Sequence, residues 1–170
     1  MIKGREILGL PVVTMDEREQ IGEVKDIIYD PYQNIILGCL LEAGGWIRSG
    51  KGFLYNEVLK LDRDGLIIKD RLVARNINTI TEFQEVLAQK IDIRGLRLEK
   101  EDGQYMGVIQ DLVIDEKTGE ITGYEVSDGV IQDLLDGRAT VSNMGACITE
   151  DRVIAPEGTQ FDFISKGELV

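Results

Sequence analysis

Apolar residues fall along the chain in short β-branched runs, each broken by Asp, Asn or Gly, which is the pattern of strands and tight turns. Val24, Ile27 and Ile28, and later Ile109, Leu112 and Val113, are aliphatic positions of strands with substantial burial. Both strands run into a turn that opens on Asp, DPYQN (30–34) and DEKTG (115–119). An Asp side chain accepts hydrogen bonds from the turning backbone, and Pro31 pre-sets φ for the next position. Asn34 and Gly119 close these turns and tolerate the left-handed backbone a hairpin bulge requires. IILGCLL and EITGYEV follow as second strands with a glycine at the same place, the mark of a bend or bulge. Further strands are predicted at FLYNEVLKL and LIIKD, parted by an Asp64-Gly65 turn, then at ATVSN, around 146–148, and at RVIAP. TITEFQEVLAQK (79–90) has helical spacing, with Ile80, Phe83, Val86 and Leu87 on one face and Thr79 with Glu82 as a capping box.

The pattern occurs twice. ILGLPVV (7–13) returns as IRGLRLE (93–99), with Ile7, Gly9 and Leu10 repeated as Ile93, Gly95 and Leu96. IGEVKDIIYDPYQNIILGCLL aligns with MGVIQDLVIDEKTGEITGYEV through Gly22/Gly107, Asp26/Asp111, Asp30/Asp115, Ile36/Ile121 and Gly38/Gly123. The register drops by one between the two blocks because the loop MDEREQ is one residue longer than KEDGQ. A loop tolerates such a change.

The block G-x-[VI]-x-D, three apolar residues, Asp, a turn and a strand with an internal glycine resembles the PRC-barrel domain. It is carried by 21–38 and again by 106–123. The resemblance implies a mainly β chain of two tandem small PRC-like barrels, 1–75 and 92–170, joined by a short amphipathic helix within 76–91. The family takes its name from the cytoplasmic part of the photosynthetic reaction centre H subunit, and it supplies the C-terminal domain of a ribosome maturation factor. It implies an interaction or assembly module, with no catalytic residues to transfer.

Composition narrows the function classes. The chain has no histidine, which removes imidazole-based triads, His-ligated zinc and the usual general base near neutral pH. Cys39 and Cys147 form no C-x-x-C pair and read as small core residues. Lys and Arg total 19 against 31 Asp and Glu, a net charge of −12, which argues against a phosphate-binding surface and is read first as solubility and second as suiting a basic protein partner. No apolar run is long enough to span a bilayer and the opening MIKGREILGLPVV has no export-signal pattern, so a cytoplasmic protein is expected.

Several stretches suggest chemistry and are better explained by structure. GWIRSGKG (45–52) approaches a phosphate loop, but position 52 is Gly where a hydroxyl must reach Mg²⁺, and a strand-like run follows in place of a helix. DRDG (62–65) lacks calcium-loop spacing and reads as a hairpin turn. Asp26 and Asp111 recur in equivalent strands, which favours a backbone-bonding role over catalysis.

The copies differ most at AGGWIRSGKG and SDGVIQDLLDGR (127–138), the second read as a capped surface helix. Trp46, Arg48 and Lys51 in the first and Asp128, Asp133 and Arg138 in the second are the candidate partner-binding residues. The expectation is a cofactor-free, non-enzymatic adaptor for another protein. The runner-up is a factor in RNA or ribosome maturation, which a basic face would favour.

Overall fold

The computed structural model describes residues 1–42, 50–127, 139–142 and 145–163. The chain is mainly β and divides into two units, Met1–Lys90 with Asp115–Glu120, and Ile91–Ile114 with Ile121–Val170.

The first unit begins with β1 (Ile2–Lys3) and a single helical turn, α1 (Gly4–Ile7). Strands β2 (Pro11–Thr14), β3 (Gln20–Asp30), β4 (Ile35–Glu42) and β5 (Lys51–Leu54) follow, then β6 (Val58–Asp62), β7 (Gly65–Ile68), β8 (Arg75–Asn76) and helix α2 (Thr81–Gln89). They form a seven-stranded sheet in the order β6-β7-β2-β3-β4-β5-β8. The second unit contains β9 (Arg97–Lys100), β10 (Tyr105–Ile114), β11 (Ile121–Ser127), β12 (Ala139–Ser142), β13 (Cys147–Ile148), β14 (Arg152–Ala155) and β15 (Phe161–Phe163). Their order is β13-β14-β9-β10-β11-β12-β15. Apart from the last strand, the two orders correspond strand for strand, down to a parallel pairing in each, β2 with β7 and β9 with β14. Neither sheet closes on itself among the described residues: β6 and β8 end the first, β13 and β15 the second.

The correspondence extends to individual hydrogen bonds. Gly9 N–H donates to the Val24 carbonyl at 2.8 Å and Gly95 N–H to the Ile109 carbonyl at 2.7 Å. Val24 N–H returns to Leu10 and Ile109 N–H to Leu96, each at 2.9 Å. Gly9 and Gly95 have φ of 80° and 90°, a backbone that L side chains adopt at a cost, which explains the same residue at both places.

Each long hairpin is bulged twice, at matching positions. In β3–β4 the register slips between Val24 and Asp26 and again between Ile28 and Tyr29; in β10–β11 it slips between Ile109 and Asp111 and between Val113 and Ile114. A bulge adds a residue to one strand and bends it. The second slip in each hairpin lies beside the strand glycine, since Ile28 pairs with Gly38 and Val113 with Gly123. A Cβ on Gly38 would stand 2.1 Å from the Phe53 carbonyl oxygen, and one on Gly123 2.5 Å from that of Val141. The predicted bend is therefore also a point where adjacent strands crowd together.

The turns form as the pattern predicts. The Asp30 carboxylate accepts from the Tyr32 and Gln33 amides at 2.8 and 3.0 Å, and Asp115 from Lys117 and Thr118 at 2.8 and 3.3 Å. Those backbone donors, Lys117 first, hold the Asp115 carboxyl below the usual carboxylate range. Asn34 and Gly119 close the turns with φ of 53° and 74°.

Three expectations are corrected. FLYNEVLKL is not one strand: β5 pairs with β4 and β6 with β7, at opposite ends of the sheet order. A 3₁₀ turn over Tyr55–Glu57 makes the change of direction. The Glu57 carboxylate secures it by accepting from Leu54 N–H at 2.9 Å and from the Arg75 guanidinium at 2.8 Å. The Thr79–Glu82 capping box does not form, because a 3₁₀ turn over Ile77–Thr79 precedes α2 and the Thr79 hydroxyl donates to the Asn76 carbonyl at 2.7 Å. The third concerns Cys147, which is exposed at the sheet edge, whereas Cys39 is fully buried.

Helix α2 packs on the first unit through Phe83 and Ile80, which bury against Ile28 with Val86 and Ile77 at the margin. Leu87 belongs to the predicted stripe yet stays 37 % exposed. Lys90, with φ of 54°, ends the helix and donates its N–H to Val86.

Candidate functional site

The segment holding Trp46 and Arg48 joins β4 to β5, and the segment holding Asp128, Asp133 and Arg138 joins β11 to β12. These are the same connection in the two units, because β4 and β5 hold the places in the first order that β11 and β12 hold in the second. Trp46, Arg48, Asp128, Asp133 and Arg138 lie outside the described residues, as does the surface helix expected at 127–138 apart from Ser127, which ends β11. Lys51 is described. It opens β5, opposite Leu41 of β4 and Asn76 of β8, with its side chain exposed. The glycine-rich stretch thus leads into a strand, with Gly50 accepting from Ile77 N–H at 3.1 Å. The amide-rich helix start that a phosphate loop needs is replaced by β-ladder.

The recurrent aspartates sit at the bulges. The Asp26 carboxylate accepts from Ile27 N–H at 2.9 Å, and Asp111 from Leu112 N–H at 2.8 Å, each at the residue where the register slips. Each carboxylate thus bonds the amide of the residue that follows it, next to the bulge, a backbone-bonding use of the side chain. DRDG is a hairpin turn: Asp62 pairs with Gly65 across β6 and β7, and its carboxylate accepts from Asp64 N–H at 2.9 Å.

One feature of the second unit went unnoticed in the sequence. Glu125 is fully buried on β11 as the Cα partner of Asp111, itself only 3 % exposed. The first unit places Leu40 opposite Asp26 instead. A lone Glu between Tyr124 and Val126 was the available signal.

Burial also separates the thiols. Desolvation, with the Asp26 carboxylate adding to it, pushes the Cys39 thiol up to about 12. A thiol reagent at pH 8 is therefore expected to modify Cys147 in the native protein and Cys39 only after unfolding. Equal native reactivity of both would contradict the packing of β4.

The first unit also carries a half-open cavity of about 740 Å³, lined by Leu54, Tyr55, Leu59, Lys60, Glu82 and Lys117 among others. Leu59 is 54 % exposed beside it. The Tyr55 hydroxyl donates to the Glu116 carbonyl at 2.9 Å, and burial pushes its pKa up to about 12. The cavity could not be read from the sequence, because its wall exists only where FLYNEVLKL breaks into two strands.

The family model of the PRC-barrel domain matches residues 1–74 and 91–144. The chain belongs to the PRC-barrel family. No curated protein matches it. The two matched segments of this PRC-barrel chain hold the two bulged hairpins, β3–β4 and β10–β11, and no helix among the described residues is long and apolar enough to cross a membrane.

Proposed function

We propose that this PRC-barrel protein is a non-enzymatic interaction or assembly module, built as two tandem barrels and working in the cytoplasm. The β4–β5 and β11–β12 connections form its partner-binding surface. The observation that carries the reading is topological. Both connections occupy the same place in matching strand orders, yet they are where the two copies diverge most in sequence. Equivalent scaffold with divergent loops is the usual arrangement of a recognition surface held on a rigid frame. Within it Trp46 serves as the anchor, flanked by Arg48 and Lys51, while Asp128 and Asp133 with Arg138 face a basic partner. The net charge of −12 steers such a partner and disfavours nucleic acid. The recurrent aspartates support the non-enzymatic part, since their carboxylates bond backbone amides beside the bulges.

Affinity purification from native cells tests this, comparing the natural chain with a variant carrying Ala at Trp46, Arg48, Lys51, Asp128, Asp133 and Arg138. Loss of the co-purifying protein is expected at unchanged thermal stability, with Trp46→Ala alone weakening binding by about 30-fold, as for an anchor worth roughly 2 kcal/mol. An identical set of co-purifying proteins from both chains refutes the placement.

A further inference from the structure

We draw no further inference here: the strongest candidate, the half-open cavity along Leu54 and β6 of the first unit, carries nothing because nothing in the structure shows what covers it.

Discussion

Gly38→Ala is expected to destabilise the first unit by about 3 kcal/mol or more, at or beyond the upper end for overpacked interiors. The new methyl would meet the Phe53 carbonyl oxygen at 2.1 Å and the Phe83 ring at 2.6 Å. The ring is fully buried and has little room to move, and the carbonyl belongs to β5, the strand paired with β4, so moving it breaks that pairing. The equivalent change, Gly123→Ala, drives a methyl to 2.5 Å from the Val141 carbonyl of β12 and is expected to harm the second unit in the same way. Thermal melts followed by circular dichroism check both, with a fall of about 10 °C or more expected for each. A near-neutral Gly38→Ala would mean that β4 and β5 are further apart than described.

Phe83→Ala follows, with an expected cost of about 3–5 kcal/mol, the usual range for removing a buried aromatic ring. Phe83 is fully buried and, with Ile80 and Ile28, forms the cluster that fastens α2 to the first unit. Nine residues are too few for a helix to persist alone in water, so α2 depends on this contact. Loss of helical signal should therefore accompany the loss of stability in urea titrations. The two variants also interact: with the ring removed, Gly38→Ala keeps only its clash with the carbonyl. The double variant should then be less damaging than the sum of the singles. Strict additivity would place Phe83 away from Gly38.

What the sequence disclosed is what local chemistry controls. The Asp30 and Asp115 turns, the left-handed closures at Asn34 and Gly119 and the bends at Gly38 and Gly123 each depend on a few adjacent residues, and all were legible. The repeat was legible as well, because the same backbone conformations require the same residue types at Gly9 and Gly95. Features decided by distant partners were not. FLYNEVLKL reads as continuous strand, and it breaks because Glu57 is held by Arg75, 18 residues on. Thr79 has the residue type of a cap, yet its hydroxyl is claimed by Asn76. Cys39 and Cys147 both sit in apolar stretches, and only the sheet order separates a central strand from an edge. Glu125 is buried because β11 is covered on both faces there, its neighbours Tyr124 and Val126 being buried as well, and no local pattern reports which strands lie over a second face. Of the candidate partner-binding residues, the sequence supplied all six and the described structure places one, Lys51.

The central claim is that one strand arrangement is built twice, with the same backbone hydrogen bonds made by equivalent residues. Residue-resolved amide hydrogen exchange on the intact protein tests it most directly, at the pairs Gly9 and Gly95, Leu10 and Leu96, and Val24 and Ile109, whose amides are all bonded to backbone carbonyls. Both members of every pair are expected to be protected, each at the level of its own unit's core. Protection of one member while its counterpart exchanges at the rate of an unfolded chain would contradict the account.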